Sequence, residues 1–246
     1  MAIVIKISGH ELDDAAHLAG FAGVVAALNT PTVIVHGGGK EISALQTQMG
    51  IEPRYVDGLR ITDAASLALV EMVLCGVVNK RLVRTLIHAG VDALGMSGVD
   101  RGLIRAQKMA HASVDMGYTG VIASVREDVL IELLDMNITP VIAPICLGVD
   151  SNFNVNADHV AGAVAGALDA ERLVFLSNVP GVLVDGVVAP TLTPRQTEAL
   201  ITDGTISGGM IPKVRTALDA LSNGASQAVI TNLAGLSSGG GTVFKR

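Results

Sequence analysis

Aromatic side chains are scarce in this chain, which has no tryptophan, two tyrosines and four phenylalanines among its 246 residues. Half of the residues are nevertheless hydrophobic. Valine, isoleucine, leucine and alanine must therefore build the interior, a bias that suits parallel strands buried on both faces. A chain of this length can bury a sizeable core without covalent staples. Cysteine is equally sparse: Cys75 and Cys146 lie in separate apolar runs, where buried reduced thiols are expected and a disulfide is not. Positive charge is in deficit, with 17 Lys and Arg against 23 Asp and Glu for a formal charge of −6. Together with the lack of a basic cluster, that argues against a nucleic-acid partner. No apolar run is long enough to span a membrane, and no basic leader precedes the strand-like residues 2–7. A cytoplasmic protein without a membrane partner is the expectation. Also lacking are a Ser/His/Asp order and any His/Cys cluster with metal-ligand spacing.

What is present is a regular alternation. Short apolar runs at 3–7, 32–35, 93–96, 139–143, 172–176, 228–231 and 242–245 read as strands. Helical patterns at 12–28, 64–87, 125–136, 157–168, 194–203 and 210–222 stand between them. Interposed helices predict an α/β fold with a mainly parallel central sheet covered on both faces. Residues 100–120 break the rhythm with short β-like segments, and Asp185-Gly186 predicts a small hairpin over 181–189. A soft boundary near residue 165 divides the chain into an N-terminal lobe, 1–165, and a C-terminal lobe, 166–246. Ligands are expected at the carboxyl ends of strands between them.

Four features fall at predicted strand ends. The run Thr32-Val-Ile-Val-His36 stops at Gly37-Gly38-Gly39, and a helical pattern follows at once. Such a turn is either a bare βα connection or a cradle whose N–H groups meet an anion. It has neither the dinucleotide nor the Walker A spacing. Lys6 sits inside an apolar strand, where it either meets an anion that offsets the cost of burial or snorkels outward from a sheet edge. Arg60 precedes a long helix that Thr62 or Asp63 can cap; its planar fork fits a carboxylate, although taken alone it reads as a surface arginine in a loop. Asn154, Asn156 and Asp158 alternate, so an extended backbone would point them the same way, while Asn156 or Asp158 also suits an N-cap. Finally, Gly208-Gly-Met-Ile-Pro212-Lys213 opens a helix with one of only six lysines in its first turn, against the macrodipole. Two lysines, an arginine, a glycine turn and a carboxylate suit phosphoryl transfer to an anionic acceptor, where cations offset repulsion. A carboxylate acceptor, with a pKa of about 4, needs no general base.

These residues occur in an order that resembles the amino-acid kinases. The matching stretches are Ile5-Lys6-x-x-Gly9, Val35-His36-Gly37-Gly38-Gly39, Gly58-Leu59-Arg60-Ile61-Thr62-Asp63, Val78-Asn79-Lys80, Gly95–Asp100, Asn154–Asp158, Leu176–Gly181 and Gly208–Lys213. They cover nearly the whole chain and are most like the branch that phosphorylates N-acetyl-L-glutamate in arginine biosynthesis. The resemblance implies a three-layer αβα sandwich with the amino acid on the N-terminal lobe and MgATP on the C-terminal lobe, Mg²⁺ being held mainly by the phosphates. It makes Lys6 and Lys213 the groups that stabilise the transferring phosphoryl, with Asp158 holding both. Gly38 and Gly39 would offer N–H groups, and Arg60, Asn154 and Asn156 would bind the acylated amino acid. Gly9 would let the phosphates approach. Asn178, Val179, Pro180, Gly181, Val182 and Leu183, with Thr205, Ile206 and Ser207, would flank the adenine and ribose.

Ser8 stands where the family usually has glycine, and Asn178 where it usually has Asp. Leu176-Ser-Asn-Val-Pro-Gly181 and Tyr118-Thr-Gly120 are also similar to relatives that phosphorylate aminoadipate on an acidic carrier protein. Gly58–Asp63 and Asn154–Asp158 are not, and an acidic carrier should prefer a basic rim. A catalytically silent sensor on the same fold is the remaining reading. His36 is expected to anchor the glycine turn, and Gly239-Gly240-Gly241 to form a turn. Because no helix is read before the first strand, the resemblance implies an arginine-insensitive homodimer joined through the helix at 64–87.

Overall fold

The computed structural model describes residues 2–8 and 14–245. The chain opens with β1 (Ile3–Ile7), α1 (Ala15–Ala27), β2 (Thr32–His36) and α2 (Gly39–Gln48), followed by a small hairpin of β3 (Tyr55–Val56) and β4 (Leu59–Arg60). A long helical stretch then runs through α3 (Ala64–Glu71), a π-helical segment (Met72–Val78) and α4 (Asn79–His88). After it come β5 (Ala93–Gly98), β6 (Ile104–Lys108), β7 (Gly120–Val125), α5 (Glu127–Asp135), β8 (Thr139–Leu147), β9 (Asn152–Asn154) and α6 (Ala157–Ala167). The remainder is β10 (Arg172–Leu176), the hairpin β11 (Leu183–Val184) and β12 (Val187–Val188), β13 (Thr191–Leu192), α7 (Pro194–Thr202), α8 (Met210–Ser222), β14 (Ala228–Thr231), α9 (Leu233–Ser238) and β15 (Thr242–Phe244).

Among the described residues, eleven strands form one sheet in the order β13-β15-β14-β10-β1-β2-β8-β6-β7, with β5 and β9 also paired to β8. Its centre is parallel: β1 runs between β10 and β2, with Ile3 opposite both Arg172 and Thr32. The sheet is therefore continuous across residue 165. Antiparallel pairs (β6–β7, β8–β9 and β14–β15) extend its flanks. The period of 2 sends alternate residues of each central strand to opposite faces. Val4, Val33, Val35 and Leu173 join one core cluster with α6 and α8, and Ile3, Ile5, Ile34 and Val174 join the other with α1, α3 and α4. This is the expected three-layer α/β sandwich.

Local chemistry sets the helix ends. Asp14, Asp63 and Asn156 cap α1, α3 and α6 with side-chain oxygens. Thr193 and Gln196 make a capping box at α7, where Pro194 takes the first position. The sequence pattern over 64–87 reads as one uniform helix, but its middle is π-helical: the Asn79 N–H reaches back five residues to the Leu74 carbonyl. Residues 239–241 form a defined turn, Gly239 ending α9 in the left-handed region at φ 76°. Both cysteines are free thiols, and burial pushes Cys75 up to about 11 and Cys146 up to about 12. Among the described residues no helix is long and apolar enough to cross a membrane.

Candidate active site

Lys6 leaves the apolar strand β1 near its carboxyl end, and its Nζ lies 2.9 Å from Asp158 Oδ1 in the first turn of α6. A carboxylate there is favoured twice, by the lysine and by the helix N-terminus. The pair is mostly buried, with side chains 13% and 24% exposed. Lys6 also donates to Ser8 Oγ at 3.3 Å, so the serine found in place of glycine gives the lysine a second acceptor.

The second lysine is held differently from the expectation that Asp158 grips both. Lys213 Nζ donates to Ser177 Oγ at 2.7 Å and to Asn178 Oδ1 at 3.0 Å. Those residues directly follow β10 and face the first turn of α8, so this lysine is held by neutral oxygens. Asn178 thus positions Lys213 without neutralising it.

Two clefts meet at the Lys6–Asp158 pair. One is walled by Ser8, Ser177, Pro212, Lys213 and Thr216 with the apolar Leu176 and Ile230. The other is walled by Gly37, Gly38, Gly39, Tyr55, Arg60, Thr119, Asn154 and Asn156. Lys6 and Asp158 line both.

Arg60 is only 8% exposed and closes the second cleft. Its guanidinium donates to Gln46 Oε1, to Ser43 Oγ at 2.8 Å and to the Gly39 carbonyl at 3.0 Å, and it lies 4.8 Å from the centre of the Tyr55 ring. Burial pulls its pKa below the usual arginine value while Tyr55 opposes the shift, and the group remains a cation. Asn154 Nδ2 donates to Thr62 Oγ1 at 3.0 Å. Asn156 caps α6, its Oδ1 accepting from Asp158 N at 2.7 Å, and still lines the cleft. At the glycine turn, a Cβ on Gly38 would meet Leu74 Cδ2 at 2.7 Å, whereas one on Gly39 would meet nothing within 4 Å. Gly38 is packed against the long helix and Gly39 borders open space.

The structure thus brings together Lys6, Lys213, Asp158, Gly38, Gly39, Arg60, Asn154 and Asn156. The residues expected around a nucleotide base are more dispersed. Asn178 is tied in through Lys213. Gly181 packs under β15, and the Val182 N–H donates to Thr242 Oγ1 at 2.8 Å. Val182 and Ile206 are in the core and Val179 packs against it, so Val182 and Ile206 can offer only backbone. Pro180, Leu183, Thr205 and Ser207 are exposed. Gly9 lies outside the described residues. Sequence reasoning missed Ser177 and Thr216 in the first cleft, and Ser43, Gln46, Tyr55 and Thr119 around Arg60. Ser43 and Gln46 carried one signal, since an i, i+3 pair shares a helix face.

A model of the amino acid kinase family matches residues 1–232. Acetylglutamate kinase of Roseiflexus castenholzii is 58% identical over 95% of this chain and 90% of its own length. Acetylglutamate kinase of Chloroflexus aurantiacus is 53% identical over 96% of this chain and 94% of its own. Carbamate kinase from Giardia lamblia bound to AMP-PNP superimposes with a TM-score of 0.71 at 16% identity, over all of this chain and 98% of that one, a likeness of fold.

Proposed function

The chain belongs to the amino acid kinase family, and from that premise we propose that it moves the terminal phosphoryl group of ATP to the side-chain carboxylate of N-acetyl-L-glutamate. The product is N-acetyl-L-glutamyl 5-phosphate, an intermediate of arginine biosynthesis made in the cytoplasm. The reading is supported by the names and identities of the Roseiflexus and Chloroflexus relatives. The observation that carries it is the position of Lys6 and Asp158 in the wall between two clefts. A nucleotide in the lysine-lined cleft and an acid in the arginine-lined cleft meet at that wall.

In this reading the N-terminal lobe, 1–165, supplies the acceptor cleft, and the C-terminal lobe, 166–246, supplies most of the nucleotide cleft. Arg60 and Asn154 orient the acylated amino acid, so that its side-chain carboxylate lies near Gly38, Gly39 and Lys6. A carboxylate oxygen attacks the terminal phosphorus, the new C–O–P linkage forms, and the bond to the ADP oxygen breaks. No base is required because the acceptor, with a pKa of about 4, is already ionised. Lys6 and Lys213 counter the charge on the transferring group, and Asp158 fixes Lys6. Mg²⁺ suits the phosphates themselves, since the nucleotide cleft offers two lysines and a carboxylate already engaged with one of them.

The exposed apolar side chains Met72, Val77, Ile87 and Leu94, on the long helix and the neighbouring β5, mark the face through which we place a homodimer. Light scattering of Ile87→Glu checks it, a monomer being expected. The activity itself is tested by trapping an acyl phosphate with hydroxylamine in the presence of ATP and N-acetylglutamate, N-acetylaminoadipate or free glutamate. Product is expected with N-acetylglutamate, and turnover only with another acid would sink the assignment.

A further inference from the structure

We propose that His36 and Asn79, which no step above uses, are positioning residues that orient the Gly37–Gly38 peptide so that the Gly38 N–H faces the acceptor cleft. The inference rests on the proposed kinase reading for its chemistry, and on a buried hydrogen-bond chain for its geometry.

Every member of that chain has one possible role. Asn79 Nδ2 lies 2.9 Å from the Val141 carbonyl, which can only accept. The same nitrogen lies 3.1 Å from His36 Nε2, so this ring nitrogen must be the acceptor. The imidazole then carries its proton on Nδ1, which donates to the Gly37 carbonyl at 2.9 Å. Asn79 Oδ1 accepts from Lys80 Nζ at 3.0 Å, and that lysine also donates to the Gly95 carbonyl at 3.1 Å. His36 and Asn79 are 0% and 1% exposed, so water cannot substitute for either partner.

The consequence reaches the cleft through the peptide plane. Among the described residues no peptide bond is cis, and in a trans unit the C=O and the following N–H point in opposite directions. Tying the Gly37 carbonyl to the buried imidazole therefore turns the Gly38 N–H away from it, towards the cleft that Gly37, Gly38 and Gly39 line. The π-helical segment sets both sides of this arrangement. Leu74, whose carbonyl accepts from the Asn79 N–H, is also the side chain that meets Gly38.

Asn79 thus anchors the ring. Without its N–H, Nε2 is a buried acceptor with no donor, and the imidazole is free to turn out of line with the Gly37 carbonyl. The Gly37–Gly38 peptide then loses its fixed orientation and the donor its aim.

Nitrogen-15 NMR of the histidine rings tests the first half directly. The wild type should show His36 as the Nδ1–H tautomer with a hydrogen-bonded Nε2, and Asn79→Leu should move the Nε2 resonance to that of an acceptor nitrogen without a donor. Steady-state kinetics test the second half. Asn79→Leu and His36→Leu should each lower kcat by about ten- to a hundredfold, since misaiming one donor costs up to what removing it does. KM for ATP should move less than about twofold, as expected for an interaction made in the transition state. His36→Asn, whose Nδ2 occupies the place of the ring Nδ1, should restore most of the kcat lost in His36→Leu. An Nε2–H tautomer in the wild type overturns the proposal, and so do equal kcat values for His36→Asn and His36→Leu. Should wild-type protein turn over no N-acetylglutamate, the kinase reading fails, and the ring tautomer still decides the hydrogen-bond chain without recourse to activity.

Discussion

Lys213 and Arg60 are both cations facing the site, and the way each is held separates their functions. Lys213 rests on two neutral oxygens, those of Ser177 and Asn178, so its ammonium keeps its charge for an incoming phosphate. Arg60 is gripped by Gln46, Ser43 and the Gly39 carbonyl and stacked on Tyr55, so its fork has a fixed direction. Charge alone can be supplied by lysine, whereas that planar set of donors cannot. Arg60→Lys is therefore expected to raise KM for N-acetylglutamate by about tenfold or more while leaving kcat within a few-fold, the loss of one charge-assisted contact. Lys213→Met is expected to do the opposite, lowering kcat by a factor on the order of a hundred or more with a smaller change in KM. Initial rates over a grid of both substrates separate the two effects. An unchanged acceptor KM in Arg60→Lys would remove the guanidinium from acceptor binding.

At the scale of elements, the glycine turn works because it is pressed against a helix of unusual geometry. A methyl on Gly38 would stand 2.7 Å from Leu74 Cδ2 and 3.1 Å from Val78 Cγ2, both on the π-helical segment. Overpacking of that kind costs typically about 1–3 kcal/mol, so Gly38→Ala should lower the unfolding free energy by that amount. Adding Leu74→Ala should recover part of the loss, and urea titrations of the double-mutant cycle give the coupling. Strict additivity of the two changes would refute the contact. Such a clash was not legible in the sequence, because it needs the register of a helix thirty-odd positions downstream. What was legible follows the same logic. The limits of β1, β10, β14 and α8 were readable to the residue because apolar runs with clear breaks fix them. Lys6, Asp158 and Lys213 stood out because charge inside apolar or dipole-opposed positions is conspicuous. By contrast β6, β9 and α9 are short, and their pairing or packing comes from neighbours distant in sequence. The π segment looks like any apolar helix. Gln46, Ser43 and Tyr55 are ordinary surface residue types, and only folding of the β3–β4 hairpin over α2 gives them Arg60 to hold.

For the molecule as a whole, the buried chain from Val141 through Asn79 and His36 ties β8, α4 and β2 together at the edge where the clefts open. That ties part of the fold's stability to the protonation of one ring. Burial, the largest cause, together with the nearby Arg81 and Lys80 charges, lowers the His36 pKa from 6.5 to about 4 against the opposing Gly37 hydrogen bond. The folded protein therefore binds fewer protons than the unfolded chain between these two values. The contribution is complete above pH 6.5, declines as pH falls, and is lost once pH reaches the folded value near 4. A shift of this size corresponds to about 3 kcal/mol across the window. Other groups also destabilise the fold in acid. Asp63, whose carboxylate is held low by the Ser66 N–H, and Asp203, held low by Thr205, both lose stabilisation as they protonate. Those contributions are common to the wild type and to His36→Asn, so the difference between the two isolates the imidazole. Urea unfolding of both proteins at pH 7.5 and pH 5 should show the wild type losing about 2 kcal/mol more than the variant. Parallel losses would mean that His36 titrates normally. The polar chain behind the glycine turn would then not be the closed, neutral network on which the aim of the Gly38 donor depends.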